Sequence, residues 1–238
     1  MSSGVRFALA LALGAALGAV VAGLGVRLSW WTFGTGFSIL KYAAIGALIS
    51  VPLSLLGWWF VARRGLRGQG WAMVALAAGL AGVWVPLYTV YTARGLPMIH
   101  DISTDLGNPP AFVAVLPLRA ASANSTAYGG VTVAALQKQF YPDIQPLVIA
   151  QPPAQVFQRA LSVAQTLGWD LVEVNEAAGR IEATTTTFWF GFKDDVVVRL
   201  TPAGAGSRID VRSLSRVGVS DLGVNAQRIR DYLKRLAR

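Results

Sequence analysis

Three long uncharged apolar runs occupy the first 94 residues and constrain the fold more than any other feature of the chain. They span residues 7–26, 42–62 and 71–93, so they are 20, 21 and 23 residues long. A helix rises about 1.5 Å per residue and the hydrocarbon layer is about 30 Å thick, so about 20 residues suffice to cross it. We therefore predict a transmembrane region of three helices over residues 1–94.

The charged residues are unevenly divided between the two halves of the chain. All 12 acidic residues follow His100, whereas residues 1–94 hold seven of the 21 basic side chains and no acidic one. The net charge of +9 therefore belongs mostly to the apolar half and is poor evidence for nucleic-acid binding. With no Cys and one His, disulfides, Cys-ligated metals and multi-histidine sites are excluded. We predict no nucleic-acid partner, no metal and no cofactor.

The basic residues between the second and third runs indicate how the chain crosses the membrane. Arg63, Arg64 and Arg67 are clustered there, and such clusters favour the cytoplasmic side. This orientation places four basic residues inside and three outside. After three crossings the C-terminal half would lie outside the cytoplasm, so we predict a bacterial inner-membrane protein with a periplasmic domain.

The soluble half divides into two stretches of different character. Residues 95–152 are rich in Pro, Gly and Asn, and we predict an ordered but irregular segment that wraps the domain. Residues 153–238 show a helical pattern, four strand patterns separated by turns, and a final helix with Ser220 or Asp221 as its N-cap. We therefore predict an α+β fold, with a helix-β-β-β-β-helix core in which two helices cover one face of a four-stranded antiparallel sheet.

The clearest strand signal is the alternating stretch at residues 181–192. In an extended strand Phe188, Phe190 and Phe192 share one face. We expect these three rings to lie in the core beneath the helices. The alternative is a lipid-binding patch.

Several short motifs of the soluble half resemble those of one bacterial family. They are Ile-His-Asp-Ile-Ser-Thr-Asp at 99–105, Pro-Pro-Ala-Phe at 109–112, Tyr-Gly-Gly at 128–130, Tyr-Pro-Asp-Ile-Gln-Pro at 141–146, Asp-Asp at 194–195, and the stretch from Arg212 to Asn225. Over about residues 98–236 the chain resembles the domain-of-unknown-function 1499 family, many of whose members are similar in having hydrophobic spans ahead of this domain. Leu214 and Val219 depart from the family pattern. The family has no established activity, so the resemblance implies no cofactor and no catalytic residue.

The stretch from Arg212 to Arg228 concentrates hydrogen-bonding side chains at a junction between a strand and a helix. Its candidate ligand-binding residues are Arg212, Ser213, Ser215, Arg216, Ser220, Asp221, Asn225 and Arg228. Arginine offers forked donors that suit a carboxylate or phosphate, and a helix N-terminus adds oriented N–H groups. We hypothesise a site for an anionic headgroup or a glycan acid. The structural interpretation of the same residues is an internal polar network in which Arg216 pairs with Asp194, Asp195 or Asp221, and the two can coexist.

A second group of polar residues is expected to form a structural network rather than a catalytic centre. The group comprises His100, Asp101, Asp105, Asp194 and Asp195. A catalytic His needs a nucleophile and a third group that orients it. Adjacent residues of an extended chain point in opposite directions, so Asp101 would not orient His100. Carboxylates at 194–195 suit a hard cation, but no calcium-loop spacing is present.

These patterns together favour a binding protein of the cell envelope. We predict an integral membrane protein whose C-terminal domain is a non-catalytic binding or accessory module. Besides the lipid bilayer, its partner would be an envelope protein or an anionic lipid or glycan. The alternative is an envelope hydrolase or transferase that acts on lipid or cell-wall material through His100, Asp194 and Asp195. The absence of a nucleophile motif and of a metal-ligand set weighs against catalysis, and no pattern indicates an oligomeric state.

Overall fold

A computed structural model of the chain describes residues 2–238. The chain divides into two compact units, which are treated separately below. The helical unit comprises the residues up to Arg94 together with the short segment Phe188–Gly191. The α+β unit comprises Gly95–Thr187 and Phe192–Arg238.

The helical unit contains three long apolar helices among the described residues. They are α1 (Ser3–Arg27), α2 (Phe33–Arg63) and α3 (Gln69–Ala93). All three are long and apolar enough to cross a membrane, and each contains one of the three predicted runs. Ser2 and Thr32 cap the first two helices, because their hydroxyls accept hydrogen bonds from backbone N–H groups of the first turn.

Small residues let these helices approach one another closely. A Cβ at Gly18 of α1 would lie 3.4 Å from the Cβ of Ala43 in α2. A side chain at Gly79 of α3 would collide with the Ser50 hydroxyl of α2. Small side chains permit such backbone approach where lipid supplies no hydrophobic driving force. The buried Ser50 hydroxyl donates to the Ala47 carbonyl at 2.7 Å, so this polar group is satisfied within α2.

The α+β unit is built from strands and helices that alternate along the chain. Its elements are β1 (Asp101–Ser103), a 3₁₀ turn (Leu116–Arg119), α4 (Gly130–Phe140), β2 (Leu147–Ile149), α5 (Pro153–Thr166), β3 (Asp170–Asn175), β4 (Arg180–Thr186), β5 (Lys193–Ala203), β6 (Gly206–Ser215) and α6 (Val224–Leu236). The predicted α+β class is confirmed. The segment predicted to be irregular, residues 95–152, contains four of these elements.

Within residues 2–238 the antiparallel sheet has six strands, and the prediction of four was wrong. The strand order is β1-β6-β5-β4-β3, and β2 also pairs with β6. The two additional strands are three residues long and pair with different parts of β6: β1 with residues 212–214 and β2 with residues 207–209. Three residues are too few to display an alternating pattern. Both strands also depend on a partner far along the chain, which local sequence does not reveal.

The helix α4 was also missed, because the surrounding residues are rich in turn formers. Its buried Gln137 explains its place in the fold. The Gln137 amide donates to the Ser103 carbonyl at 2.7 Å and accepts from the Ser103 N–H at 3.0 Å. The Gln137 side chain thus satisfies both backbone groups of Ser103, as a further strand beside β1 would do.

The strand β4 ends at Thr186, earlier than predicted, and the aromatic residues that follow form a turn. The Thr187 N–H donates to the Phe192 carbonyl at 2.8 Å and closes this turn, in which Gly191 has a φ of +67°. Phe188 is 91% exposed, so its predicted place in the core beneath the helices was wrong. Alternation predicted a strand here, but the glycine permits the reversal that ends it.

The main core lies between one face of the sheet and the helices α5 and α6. Ile181, Val196, Val198, Ile209 and Val211 of the sheet and Val156, Phe157, Ile229 and Tyr232 of the helices belong to one buried cluster. Trp169 and Tyr232 stack with ring centres 4.8 Å apart. Burial raises the pKa of Tyr232 far above its ordinary value, and its hydroxyl donates to the Ala160 carbonyl at 3.0 Å. The helices thus cover one sheet face, as predicted.

Candidate functional site

The other face of the sheet carries charged side chains, because successive residues of a strand point to opposite faces. Among the described residues we define the charged face as six arginines and six carboxylates that form ion pairs with one another. They are Arg119, Arg180, Arg199, Arg208, Arg212 and Arg216, with Asp101, Asp105, Glu173, Glu182, Asp195 and Asp210. Equal numbers of opposite charges make this face neutral.

Asp195 of β5 accepts four hydrogen bonds from three side chains on the charged face. It is fully buried and accepts from Arg119 at 2.6 Å and from two nitrogens of Arg216 at 2.9 and 2.8 Å. The Thr184 hydroxyl adds a fourth bond at 2.7 Å. Burial by itself would raise the pKa of Asp195, but these hydrogen bonds outweigh it and lower the pKa below its usual value. Asp195 is therefore ionised at neutral pH.

Arg212 of β6 is held as completely by its own set of partners. Its guanidinium forms a bidentate pair with Asp101 at 2.9 and 2.7 Å. It also donates to backbone carbonyls of Pro110 and Thr126, and its Cζ lies 5.0 Å from the centre of the Phe112 ring. Arg212 is 3% exposed. Bidentate pairing and ring contact use the planar shape of arginine, which lysine lacks.

Asp105 joins the charged face to the loop that follows β1. One carboxylate oxygen accepts from Arg199 and from Arg208, each at 3.0 Å. The other oxygen accepts from the N–H groups of Gly107 and Asn108 at 3.1 and 2.9 Å. The same two arginines also bond to Asp210, so this part of the face is a connected network rather than a set of isolated pairs.

Glu182 fastens a loop across the charged face. It is fully buried, and its carboxylate accepts from the backbone N–H groups of Val113 and Val115 at 2.8 and 3.0 Å. Arg180 lies 3.0 Å from the same carboxylate. We refer to residues 112–118 as the presented loop. Sequence reasoning missed Glu182, although a carboxylate between the apolar residues 181 and 183 of a strand was the available signal.

The presented loop places some apolar side chains inward and others outward. Phe112 and Val115 are buried in a small cluster against the sheet. Val113, Leu116 and Leu118 are 47%, 45% and 54% exposed. At the end of the loop, Arg216 donates to the Leu118 carbonyl at 2.9 Å. The loop backbone is thus fixed by the buried Glu182 and by Arg216, while three apolar side chains face outward.

A second polar network lies on the helix side of the sheet. Asn225 of α6 is fully buried and accepts from the Ser213 hydroxyl at 2.6 Å, while its amide donates to the Ser215 hydroxyl at 2.9 Å and to the His100 carbonyl at 3.1 Å. Arg228 donates to Ser213 and to Asn225 and pairs with Asp194 at 2.7 Å. This network ties the last helix to β5, to β6 and to the residue that precedes β1.

Ser220 and Asp221 lie in the turn before α6, where each bonds to backbone groups. Asp221 accepts from the N–H groups of Gly223 and Asn225 at 2.9 and 2.8 Å. The N-cap position is occupied by Gly223, so the prediction of Ser220 or Asp221 there was wrong. A φ of +80° at Gly223 lets the chain turn into the helix while the Asp221 carboxylate reaches its first N–H groups. Burial raises the pKa of Asp221.

The structure therefore divides the candidate ligand-binding stretch between two networks. Arg212 and Arg216 belong to the charged face, whereas Ser213, Ser215, Asn225 and Arg228 lie on the helix side. Each of the three arginines in the stretch has a carboxylate partner. Ser220 bonds outside both networks, to the Pro97 carbonyl at 3.3 Å.

The residues considered for catalysis are not brought together. Asp194 and Asp195 point to opposite sides of the sheet, and arginines bind both. His100 Nδ1 lies 3.4 Å from the Val219 carbonyl, and the neighbouring Asp101 carboxylate faces Arg212. In the part of the chain that the structure describes, no group of three or more His, Cys, Asp or Glu side chains is placed to hold a metal ion.

Taken together, the fold defines a class of protein in which membrane-length helices precede an α+β domain with an ion-paired sheet face. A model of the family described as a protein of unknown function, DUF1499, matches residues 101–236. The match covers more than half of the chain and includes every strand of the sheet. The chain therefore belongs to the DUF1499 family, which confirms the resemblance. A search among curated proteins found no match.

Proposed function

We propose that this protein is a membrane-anchored accessory module of the bacterial cell envelope that binds a protein partner without catalysing a reaction. Helices α1 to α3 anchor the chain in the inner membrane, and the α+β unit is presented outside the cytoplasm. The observation that carries the proposal is the presented loop, which exposes three apolar side chains on a backbone fixed by Glu182 and Arg216.

The rigidity of the presented loop supports a binding role. Hydrogen bonds to Glu182 and from Arg216 hold its backbone, so little conformational entropy remains to be lost when a partner binds. Pre-organisation of this kind increases affinity by lowering the cost of ordering. Exposed apolar side chains on ordered backbone are the usual centre of a protein–protein contact, whereas charged residues are depleted there.

The pairing of the arginines favours a protein partner over an anionic lipid or glycan. An anion bound by Arg212 would displace Asp101 and leave a buried carboxylate unpaired. Breaking a buried ion pair in this way costs about 3–5 kcal/mol. Arg228 is subject to the same argument through Asp194. An anion bound by Arg216 would remove its bidentate contact from Asp195, which would keep Arg119. The envelope hydrolase or transferase is disfavoured on similar grounds, because its three candidate residues face different partners.

The proposed partner site can be tested by photo-crosslinking of the full-length protein in its own membranes. A photoreactive residue in place of Leu116 should yield one adduct of defined mass, and Leu118→Asp in the same chain should abolish it. The same photoreactive residue at Val131 of α4, which is apolar and 86% exposed, is the matched control and should yield no such adduct. Equal adducts at both positions, or none at Leu116, would contradict the proposal. An adduct with the mass of a lipid would favour the anionic ligand instead.

The proposed orientation has a separate test. A reporter enzyme that functions only in the periplasm, fused after Arg238, should be active in cells. An inactive fusion, together with an active fusion of a cytoplasmic reporter, would reverse the orientation. The clustered arginines of the loop between α2 and α3 support the orientation proposed here.

A further inference from the structure

The aromatic turn at residues 188–191 belongs to the helical unit, although the strands that flank it belong to the α+β unit. The Trp189 indole lies against the bare backbone of Gly23 in α1, where any side chain would collide with it. Its Nε1 is 3.5 Å from the Val20 carbonyl. Phe190 packs against Phe37 of α2, with ring centres 5.3 Å apart. Two of the three rings are thus held by α1 and α2.

Phe188 is oriented differently from the other two aromatic residues of the turn. Its carbonyl accepts from Arg27 Nη1 at 2.7 Å, which fixes its backbone at the end of α1. Its side chain is 91% exposed. The ring is therefore not packed within the helical unit and is available to contact an apolar medium outside it.

The position of the aromatic turn along the axis of α1 indicates which medium surrounds the Phe188 ring. Arg27 follows the last residue of the uncharged run and ends the helix. Val20 and Gly23 precede it by seven and four residues, so at about 1.5 Å per residue they lie about 10 and 6 Å nearer the middle of the helix. Trp189 therefore lies deeper than Arg27. Interfacial segments insert their apolar faces about 5–10 Å into the boundary between headgroups and acyl chains.

Other side chains at this end of the helical unit fit the same boundary. Trp30, in the connection between α1 and α2, is 65% exposed. Trp31 donates its indole N–H to the Ala22 carbonyl at 3.2 Å. Tryptophan is enriched where headgroups meet acyl chains, and arginine beside it can reach the phosphates. The occupant favoured by these observations is the bilayer rather than a protein.

We propose that residues 188–190 are a membrane-inserted anchor, in which Trp189 and Phe190 pack on the ends of α1 and α2 while the Phe188 side chain binds lipid acyl chains. This inference rests on the proposed membrane anchoring of α1 to α3. It adds a lipid contact made by a turn of the sheet, some 95 residues after the last spanning helix.

The absence of cysteine from the chain permits a direct test with single introduced thiols. Full-length Phe188→Cys carries a nitroxide label and is reconstituted alone into nanodiscs of phosphatidylethanolamine and phosphatidylglycerol. Collision with molecular oxygen, which concentrates in lipid, is compared with collision with a water-soluble nickel chelate. The same label is placed at Leu48→Cys in the middle of α2 and at Ala205→Cys in the turn between β5 and β6. Phe188 precedes the eleven-residue strand β5 and Ala205 follows it, so the two labels lie beyond opposite ends of the same strand.

The three positions distinguish failure of the anchor from failure of the membrane assignment. The proposal expects oxygen access and nickel protection at Leu48 and Phe188, and nickel access at Ala205. Nickel access at Leu48 would overturn the membrane anchoring itself. Lipid contact at Leu48 with nickel access at Phe188 equal to that at Ala205 would overturn the inserted turn alone. Protection of Phe188 from both reagents would indicate burial in protein and would also overturn it.

Discussion

Asp194 and Asp195 are consecutive in β5, yet they bind arginines on opposite faces of the sheet. Asp194 pairs with Arg228 of α6 on the helix side, whereas Asp195 binds Arg119 and Arg216 on the charged face. The two carboxylates therefore fix different parts of the unit. Asp194 holds the last helix, and Asp195 holds the end of the presented loop. Although the two residues are adjacent in the sequence, they do not share a site, because successive side chains of a strand point to opposite faces.

Replacing Asp195 with Asn should strongly destabilise the α+β unit. The change leaves the buried guanidinium of Arg119 and the partly buried guanidinium of Arg216 without their carboxylate. Loss of one partner from a buried ion pair costs about 3–5 kcal/mol. Thermal unfolding of the full chain in detergent would measure the effect. Asp231→Asn is the control, because Asp231 is exposed and bonds only to Gln227 among the described contacts. Unfolding temperatures that match for the two variants would contradict this account of the charged face.

Neutralising Glu182 should loosen the presented loop more than it alters the sheet. Glu182→Gln retains the size of the side chain but replaces one charged oxygen that accepts a backbone N–H. Charged hydrogen bonds contribute about 1.5–3 kcal/mol, so the amides of Val113 and Val115 should exchange with solvent about tenfold to a hundredfold faster. Hydrogen exchange followed by mass spectrometry measures this. Glu176→Gln, at an exposed position, should leave the exchange unchanged, and equal rates in both variants would contradict the role of Glu182.

The stability of the α+β unit should depend on pH through Asp221. Burial raises the pKa of Asp221 above 3.8, so the folded state binds this proton more tightly than the unfolded state. The resulting stabilisation is complete below the unfolded pKa and is lost as the pH rises through the folded pKa. Asp221→Asn should remove this component. The unfolding temperature of the variant, measured from pH 4 to pH 8, should therefore fall less with rising pH than that of the natural protein.

Asp195 should have the opposite effect, so that the α+β unit loses stability as the pH falls. Its lowered pKa means that its contribution is present above the unfolded pKa and is lost as the pH falls through the folded pKa. Acid unfolding of the full chain should accordingly steepen below about pH 4, near the ordinary pKa of an aspartate. In Asp195→Asn that steepening should be absent. If the variant kept the same acid transition, other carboxylates would be responsible for that transition.

Two glycines with positive φ should differ in their tolerance of alanine. Gly204 has a φ of +57° and open space around its missing Cβ, whereas Gly179 has a φ of +60° and faces the Leu200 carbonyl, with which a Cβ would collide. Gly204→Ala should cost about 1 kcal/mol, the ordinary penalty for this backbone region. Gly179→Ala should cost more, because the turn before β4 must also move. Equal unfolding temperatures would show that the turn adapts freely.

The long periodic patterns of the sequence predicted the three apolar helices, α5, α6 and the four longer strands. Their signals are local, because each element displays its own hydrophobic period. The charged face could not be predicted in the same way. Asp101 and Arg212 form a bidentate pair across more than a hundred residues of chain, and only the pairing of β1 with β6 brings them together. Arg216 was predicted to pair with one of three carboxylates, and the structure places it on Asp195.

The aromatic turn shows how a local signal can mislead. Alternating aromatic residues at 188, 190 and 192 predicted a continuous strand, but the hydrogen bonds between Thr187 and Phe192 close a turn instead. Glycine at 191 was the local indication of a reversal. The turn that this glycine permits packs on α1 and α2 through the rings of Trp189 and Phe190. These helices lie in a distant part of the sequence, so the local pattern could not reveal the contact.

The pairing of β1 with β6 has a consequence for biosynthesis. β1 is among the first residues to emerge after the last apolar helix, but its partner residues 212–214 are made about 110 residues later. The sheet therefore cannot be completed while the ribosome is still producing the middle of the domain. Until then the buried side chains of β1 and β5 stay accessible to chaperones and proteases, and long-range pairings of this kind close slowly. A chain that ended before residue 212 would lack the residues that pair with β1 and would leave that strand without its partner.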